Sequence, residues 1–260
     1  MPGYNYVLYE AISFLYGGSQ SWRLMNYGYA PLTGGPALKL EPQDEPDRYS
    51  LQLYHFVASA GDLEGKDLLE VSSGRGGGAS FVHRRFHPKS TTGIDFSRRA
   101  IAYCRKTYSL PGLTFRLGNS AAIPFGNECF DAVMNVEASH CYTDRKRFFE
   151  EVHRVLRGGG MFLYTDVLQD HEYAPVPSLL GEIGFEIRDE RPINAEVMRA
   201  LELDNAARRA LIEREVARPL RKMAQHLNAT TDSYGYHKLQ TGRSRYFRIV
   251  AVKRMNCVIN

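Results

Sequence analysis

The stretch "LLEVSSGRGGGAS", residues 68–80, decides the fold, because an apolar run that ends in an acid is followed by a burst of glycine. The apolar run predicts a buried β-strand, and the glycines predict a turn that enters a helix. In such a turn, backbone N–H groups approach a ligand closely, with the positive end of the helix dipole behind them. Gly74-x-Gly76-x-x-Ala79 nearly matches a dinucleotide fingerprint, whereas Glu70 and the displaced glycines favour a different nucleoside. The loop alone leaves that choice open.

The composition is that of a globular protein, with 260 residues of which 43% are apolar and 24% are charged. We find no signal peptide and no run of roughly 20 apolar residues that would span a membrane. We therefore expect a cytoplasmic protein without stable membrane insertion. The cysteines lack CxxC or CxxH spacing, which predicts reduced thiols and neither a metal site nor a disulfide framework. They are Cys104, Cys129, Cys141 and Cys257.

Positive charge is concentrated in the last quarter of the chain. Between Arg199 and Arg254 there are thirteen Lys and Arg residues against five Asp and Glu, although the net charge of the chain is only +4. Such an excess is compatible with a nucleic-acid partner. The basic residues recur at helical spacing, however, and no basic-aromatic RNA-binding motif accompanies them. We therefore interpret them as a solvated helical face and expect no nucleic-acid partner.

The first fifty residues have an unusual composition, with eight aromatic residues among the first thirty. A helical stretch with an apolar face is followed by a Gly/Pro-rich linker, "APLTGGPALKLEPQDEP", at residues 30–46. We predict that residues 1–50 form an aromatic-rich lid and linker. The lid either packs on the protein's own core or covers a substrate, and shallow contact with a membrane is a lesser alternative.

Strand-like and helix-like segments alternate along the rest of the chain, which predicts an α/β protein. We expect a Rossmann-like, doubly wound and mostly parallel sheet of seven strands, with a core at residues 51–168. Residues 169–260 would close the sheet and carry an inserted helical cap at about 194–226. The predicted strands are residues 66–71, 90–96, 113–119, 130–138, 161–167, 184–192 and 245–254. The predicted helices of the core are residues 47–60, 79–87, 97–109 and 144–156. Ser97 would cap the helix at 97–109, and Gly158-Gly159-Gly160 would end the helix at 144–156.

Polar side chains follow three consecutive strands of this predicted sheet. Glu70 ends the first strand, Asp95 ends the second, and Asn119 lies just past the third. Ligands of open α/β sheets bind at the carboxyl ends of the strands, where a carboxylate after the second strand suits a ribose diol of NAD or S-adenosylmethionine. Asn119, followed by the small and apolar "AAIPF", suits an adenine edge. No second glycine fingerprint precedes the fifth strand, so the pattern favours S-adenosylmethionine.

Five landmarks occur in a fixed order: "LLEVSSGRGGG", "GIDFS", "GNSAAIPF", "FDAVMNVEASHCY" and "RVLRGGG". In this order and spacing they resemble the class I S-adenosylmethionine-dependent methyltransferases that act on small molecules, over roughly residues 51–168. The segments "DEPDR", "LYH", "GGGASF", "NVEASHCY" and "INAEVMRAL" are similar, more narrowly, to the bacterial phthiotriol/phenolphthiotriol dimycocerosates methyltransferases and related lipid or polyketide O-methyltransferases. This resemblance implies the fold, S-adenosylmethionine as cofactor and a methyl acceptor of low polarity.

Two positions depart from the family pattern, which has glycine where Ser72 stands and aspartate where Asn119 stands. Ser72 can make the same turn if its φ is negative, at some cost in closeness to the ligand. Asn119 keeps an amide oxygen that can accept a hydrogen bond from an adenine amino group, but it lacks the charge. Weaker cofactor binding is the expected consequence.

The resemblance implies a set of cofactor-binding residues. Glu70 would approach the methionine ammonium group, Gly74 and Gly76 would let the backbone pack against the cofactor, and Asp95 would accept both ribose hydroxyls. The full predicted set is Tyr27, Glu70, Ser72, Gly74, Gly76, Asp95, Phe96, Asn119, Ser120, Ala121 and Asn135.

The resemblance also implies candidates for catalysis. A methyl transfer needs an aligned nucleophile and little water, and an alcohol acceptor benefits from losing its proton to a base. His140 stands where the family often carries its base, His55 is the second candidate, and Glu137 would orient His140 or bind substrate. The expected activity is O-methylation of an apolar lipid, polyketide or aromatic metabolite in secondary metabolism, by an enzyme that could be a homodimer. The alternatives are a carbon or nitrogen acceptor, an NAD-dependent oxidoreductase, and a non-catalytic cofactor-binding module.

Overall fold

Seven strands form one sheet in the computed structural model, which describes residues 20–34, 38–227 and 229–255. The predicted helix of the lid and Cys257 lie outside the described residues. The strand order is β3-β2-β1-β4-β5-β7-β6, in which β1 to β5 are parallel and β7 runs antiparallel between β5 and β6. The predicted Rossmann-like class is confirmed. The strands are β1 Asp67–Val71, β2 Ser90–Asp95, β3 Leu113–Leu117, β4 Phe130–Val136, β5 Leu156–Gln169, β6 Phe185–Pro192 and β7 Ser244–Lys253.

Helices cover both faces of this sheet, as the continuous apolar runs of its central strands require. One core cluster joins Leu53, Phe81 and Leu201 to the sheet, and the other joins Phe148 and Leu180 to the opposite face. The helices are α1 Arg48–Ala58, α2 Gly77–Phe86, α3 Arg98–Thr107, α4 Arg145–Val155, α5 Asp170–Tyr173, α6 Val176–Ile183, α7 Asn194–Glu215, α8 Arg221–Leu227 and α9 Tyr234–Gln240.

Local sequence signals explain several boundaries. The Ser97 hydroxyl accepts the N–H of Ala100 at 3.2 Å and caps α3, as predicted. The glycine run at 158–160 does not end α4, however, because that helix stops at Val155 and the glycines lie inside β5. An added Cβ at Gly160 would lie 2.9 Å from the carbonyl oxygen of Arg157, so this glycine permits a tight bend at the start of the strand.

The helices between β6 and β7 correspond to the predicted cap. The predicted helical stretch 194–226 is two helices, α7 and α8, separated by a short turn that contains Pro219, which cannot continue a helix. The helices α5, α6 and α9 were not predicted. No described helix is long and apolar enough to cross a membrane. The division into lid, core and closing part stays a prediction.

Candidate cofactor and active site

A cavity of about 540 Å³ opens at the carboxyl ends of β1, β2 and β4, where ligands of such sheets bind. Its wall includes the glycine loop after β1 and a segment that precedes α1. We call this segment, residues 22–30, the strap. The cavity is lined by residues 23–26, 71–75, 94–97, 118–121, 136–138 and 141–144, together with Tyr54 and Ala100.

The glycine loop is held in left-handed backbone conformations. Ser72, Gly74 and Gly76 have φ values of +59°, +52° and +75°. The condition of a negative φ at Ser72 is therefore not met, and this residue stands in a region that costs a non-glycine side chain about 1 kcal/mol or more. The Ser72 hydroxyl lies 2.5 Å from the hydroxyl of Tyr142, a contact that offsets part of the strain.

The two predicted glycines differ in what they approach. An added Cβ at Gly74 would meet nothing within 4 Å, and Gly74 lines the cavity. An added Cβ at Gly76 would lie 2.7 Å from the Phe115 ring and 2.9 Å from the sulfur of Cys104. Gly76 therefore permits close packing of the loop against β3 and α3, and it is not among the lining residues.

Asp95 lies where the sequence predicted it, at the end of β2 on the cavity wall and only 7% exposed. Its Oδ2 accepts the N–H of Gly74 at 2.9 Å, and its Oδ1 accepts the N–H of Ser97 at 2.8 Å. The carboxylate is thus fixed in place between the glycine loop and α3, and the adjacent Phe96 also lines the cavity.

Glu70 is 1% exposed and lies beneath the glycine loop. Tyr54, on α1, donates its hydroxyl to Oε1 of Glu70 at 2.8 Å, whereas Oε2 is buried and has no hydrogen-bond partner among the described residues. Burial raises the pKa of Glu70 to about 8. Tyr54 itself lines the cavity and was missed from the sequence. Tyr54 lies against Gly78, where an added Cβ would be 1.9 Å from the Tyr54 ring. The glycine at residue 78 is the feature of the sequence that fits this close approach.

This contact predicts a strong coupling between Gly78 and Tyr54. Gly78→Ala should lower the free energy of unfolding by about 1–3 kcal/mol, because the ring of Tyr54 has to move and α1 is repacked. In a Tyr54→Ala background the same substitution should cost much less, and urea unfolding of all four proteins measures the difference. An equal loss in both backgrounds would show that the contact does not restrict residue 78.

Asn135 is fully buried behind the cavity wall. Its Nδ2 donates to the carbonyl of Val71 at 2.9 Å and to the hydroxyl of Tyr142 at 3.0 Å, and its Oδ1 has no partner among the described residues. Asn135 and Ser72 therefore both hold Tyr142, which lines the cavity and was not predicted.

The predicted adenine edge is a turn after β3. Asn119 Oδ1 accepts the N–H of Ala121 at 2.9 Å, and Asn119 forms an isolated bridge with Ala122. One acceptor direction of this oxygen is therefore used by the turn, and another remains. Asn119, Ser120 and Ala121 all line the cavity, and their contact with adenine stays a prediction.

His140 follows β4 in a short helical turn, Ser139–Cys141, and is 29% exposed. Its Nδ1 lies 2.7 Å from Oδ1 of Asp166, and its backbone N–H donates to Oδ2 of the same carboxylate at 3.0 Å. Burial alone would lower the pKa of His140, but the charge of Asp166 and the hydrogen bond to it raise that pKa well above its usual range. His140 is not among the lining residues, although Cys141 is.

Asp166 is fully buried in β5 and also accepts the Ser139 hydroxyl at 2.6 Å. Sequence reasoning missed it, and expected Glu137 either to orient His140 or to bind substrate. In the structure the His140 ring contacts Asp166. A lone acid inside the apolar strand "MFLYTDV" was the available signal, because a buried charge needs a partner.

Glu137 lies at the end of β4 with a φ of +49° and lines the cavity. Its Oε2 accepts both the backbone N–H of Tyr27, at 2.8 Å, and the hydroxyl of Tyr246. Burial raises the pKa of Glu137 to about 7. Glu137 therefore connects the cavity floor to the strap.

The remaining two predicted residues lie away from the cavity surface. His55, on α1, packs its ring against Phe86 with centroids 5.4 Å apart, and burial lowers its pKa. It does not join the other candidate residues. Tyr27 lies in the strap, where its ring contacts Tyr246 and its backbone contacts Glu137, while the neighbouring Asn26 lines the cavity.

The strap is fixed at several points to the core and to the cap. Arg23 pairs with Asp47 and with Asp44 on one side. Arg208 of α7 donates to the carbonyls of Asn26 and Tyr27, each at 3.2 Å. The strap therefore closes one side of the cavity, and its position depends on the cap.

Comparison with known proteins agrees with this arrangement. The family model described as "Methyltransferase domain" matches residues 69–164. Two solved structures share the fold. The [4+2]-cyclase SpnF has a TM-score of 0.71 and 19% identity, and the match covers 96% of this chain and 95% of that chain. The geranyl diphosphate C-methyltransferase from Streptomyces coelicolor A3(2) has a TM-score of 0.67 and 16% identity, and the match covers 94% of this chain and 97% of that chain. The family model thus identifies a methyltransferase domain, and the two solved structures share the fold of the chain.

Relatives of higher sequence identity define the family of the chain more narrowly. The chain is 45% identical over 184 residues to phthiotriol/phenolphthiotriol dimycocerosates methyltransferase of Mycobacterium tuberculosis, covering 71% of this chain and 68% of that protein. It is 38% identical over 228 residues to the fatty-acid O-methyltransferase of Mycolicibacterium smegmatis, covering 87% and 82%. The chain belongs to the methyltransferase family of these relatives. The glycine loop alone is compatible with NAD or S-adenosylmethionine, and membership of this family identifies S-adenosylmethionine as the cofactor.

Proposed function

We propose that this chain transfers a methyl group from S-adenosylmethionine to a hydroxyl oxygen of an apolar, lipid-like small molecule. The names of the relatives, a dimycocerosates methyltransferase and a fatty-acid O-methyltransferase, support an acceptor of this kind. The observation that carries the proposal is the 540 Å³ cavity, whose wall joins Asp95 and the glycine loop to the carboxylate of Glu137.

The polar groups on the cavity wall and directly behind it fit the cofactor; Glu70 and Asn135 belong to the second group, since neither is among the lining residues. Asp95 offers a fixed carboxylate for two ribose hydroxyls. The Oε2 atom of Glu70 and the Oδ1 atom of Asn135 are buried acceptors without partners among the described residues, and an ammonium group carries only donors. Gly74 leaves open space on the cavity side of the loop. We therefore assign the ribose to Asp95, the methionine end to Glu70 and Asn135, and the adenine to the turn 119–121.

The acceptor would approach from the side of the strap. Leu24, Met25 and Ala138 give that part of the wall apolar surface, and Met25 is among the exposed apolar side chains. The cofactor supplies an electrophilic methyl group with a good leaving group. The chain's own contribution is to orient the acceptor, to exclude water behind the strap, and to receive a proton.

The assignment of Glu70 predicts proton release on cofactor binding. Its pKa of about 8 means that the carboxyl is mostly protonated at pH 7, whereas an ammonium partner favours the ionised form. Affinity for S-adenosylhomocysteine should therefore rise as the pH rises from about 6 to about 8. Calorimetry at pH 7 in two buffers of different ionisation enthalpy should give different heats, and Glu70→Gln should remove the difference. Equal heats for the unsubstituted protein would contradict the assignment.

A matched panel of acceptors tests the proposed function. Long-chain molecules of equal length that end in an alcohol, a carboxylic acid, an amine or an alkene are incubated with S-adenosylmethionine, and the products are analysed by mass spectrometry. We expect the alcohol to gain one methyl group. Methylation of the amine or alkene alone would replace the proposal by a nitrogen or carbon acceptor.

Three further properties complete the proposal and rest on the sequence. We place the enzyme in the cytoplasm, because the cysteines have the spacing of reduced thiols. We place its reaction in secondary metabolism, and we retain a homodimer as the expected assembly.

A further inference from the structure

The two candidate bases have different relations to the cavity. The imidazole of His140 contacts Asp166 through Nδ1, which leaves Nε2 outside this pair, but His140 is not among the residues that line the cavity. Glu137, three residues earlier, lines the cavity. A group that takes a proton from the acceptor has to reach it directly or through one water molecule. Position therefore favours Glu137.

The hydrogen bonds of Glu137 are asymmetric. Both donors to its carboxylate, the N–H of Tyr27 and the hydroxyl of Tyr246, bind the same oxygen, Oε2. Oε1 accepts no hydrogen bond within the described ranges 20–34, 38–227 and 229–255, and it is not among the buried atoms that lack partners. One oxygen thus anchors the side chain, and the other is accessible.

The backbone of Glu137 also indicates a function. Its φ of +49° is unusual for a residue with a long side chain, and such conformations cost about 1–3 kcal/mol. The N–H of Glu137 donates to the carbonyl of Thr165 at 2.8 Å, which holds this conformation at the edge of the sheet. Strain of this kind is concentrated at active sites, where it directs a side chain toward its ligand.

We propose that Glu137 is the catalytic base, which receives the acceptor's proton on Oε1, and that His140 with Asp166 is a neighbouring structural pair. This inference rests on the proposed O-methyl transfer. As the new oxygen–carbon bond forms, the carbon–sulfur bond breaks and its electron pair stays on sulfur. The hydroxyl proton passes to the Glu137 carboxylate, which becomes a carboxylic acid and later loses the proton to solvent.

The surroundings of Glu137 set the pH at which it acts. Tyr246 of β7 and Tyr27 of the strap donate to it, while His140 and Asp166 face it with opposite charges. Tyr54 of α1 is also close enough to interact with it electrostatically. Burial has the largest influence and raises the pKa to about 7, which is a suitable value for a base at neutral pH.

The experiment compares Glu137→Gln with Glu202→Gln on an alcohol acceptor. The amide oxygen that the first substitution introduces can still accept from Tyr27 and Tyr246, so the strap keeps its anchor. Glu202 is a matched control, because it also accepts a tyrosine hydroxyl, that of Tyr236 at 2.6 Å, but does not line the cavity. Glu137→Gln should lower kcat by about 100-fold or more, with an unchanged Kd for S-adenosylhomocysteine and an unchanged Tm. Glu202→Gln should keep the activity of the unsubstituted enzyme.

A second variant tests the role of Glu137 without changing the acid. Tyr246→Phe removes a hydrogen bond that favours the ionised carboxylate, so the pKa of Glu137 should rise. The decline of kcat at low pH should then begin at a higher pH than in the unsubstituted enzyme, and Tyr236→Phe should leave it in place. Infrared difference spectra between the unsubstituted protein and Glu137→Gln follow the same carboxyl titration without turnover.

The outcomes separate this inference from the proposed function. No methylation of the alcohol by the unsubstituted enzyme would contradict the proposed function, and with it the base. Efficient methylation of the alcohol by Glu137→Gln, or an unshifted pH profile in Tyr246→Phe, would contradict only the role of Glu137. A carboxylate acceptor is already ionised at neutral pH, so any methylation of it should be insensitive to Glu137→Gln.

Discussion

Replacing Asp95 by Asn should raise the Kd of S-adenosylhomocysteine by about 100-fold or more. The carboxylate accepts the N–H groups of Gly74 and Ser97, which fix it on the cavity wall, and we assign two ribose hydroxyls of the cofactor to it. A hydrogen bond to a charged group contributes about 1.5–3 kcal/mol, and the substitution removes the charge and turns one acceptor into a donor. Isothermal titration calorimetry measures the change.

Asp170→Asn is the control for this prediction. Asp170 is an exposed carboxylate that faces Arg245 at 3.5 Å and does not line the cavity. Its substitution should leave the Kd unchanged. If Asp95→Asn bound S-adenosylhomocysteine as tightly as the unsubstituted protein while keeping its Tm, the assignment of the ribose to Asp95 would be wrong.

Replacing Asp166 by Ala should lower the free energy of unfolding by about 3 kcal/mol or more. The substitution leaves the Ser139 hydroxyl, the His140 ring and the His140 N–H without their acceptor in a buried place. Breaking a buried charged pair by removal of one partner typically costs about 3–5 kcal/mol. Urea denaturation measures the loss. Glu186→Ala is the control, because Glu186 pairs with Arg188 at an exposed site. Loss of such an exposed pair should lower the free energy of unfolding by about 1 kcal/mol or less.

The same pair predicts how stability depends on pH. The folded pKa of His140 is raised, so its contribution is complete below the unfolded value of about 6.5 and is lost as the pH rises through the folded value. The folded pKa of Asp166 is lowered, so its contribution is present above about 3.9 and is lost as the pH falls through the folded value. Asp166→Ala should flatten this dependence. A pH profile that keeps its shape in the variant would contradict the pairing.

The sequence predicted those parts of the site that local patterns determine. The strand ending in Glu70, the glycine turn and the strand ending in Asp95 follow from apolar runs and their breaks, and parallel pairing brings their ends together. The position of the turn at residues 119–121 follows in the same way. The left-handed φ of Ser72 could not be predicted, because the contact with Tyr142 that accompanies it joins residues 70 positions apart.

The parts that escaped prediction depend on long-range contacts. Asp166 meets His140 because β4 and β5 pair in a register that places Val136 beside Thr165, which no local pattern reveals. Glu137 meets Tyr246 across 109 positions, through the antiparallel insertion of β7. The strap was predicted only as part of an aromatic lid, and its ties to Arg208 are fixed by the cap.

The central claim is that this cavity transfers methyl groups and does not merely bind the cofactor. The most direct measurement follows S-adenosylhomocysteine and methylated product together during incubation of the purified enzyme with labelled S-adenosylmethionine and a long-chain alcohol. Both should accumulate in a one-to-one ratio over many turnovers, and Asp95→Asn should abolish both. Tight binding of S-adenosylmethionine without formation of S-adenosylhomocysteine, on any acceptor of the panel, would contradict the claim and leave a cofactor-binding module.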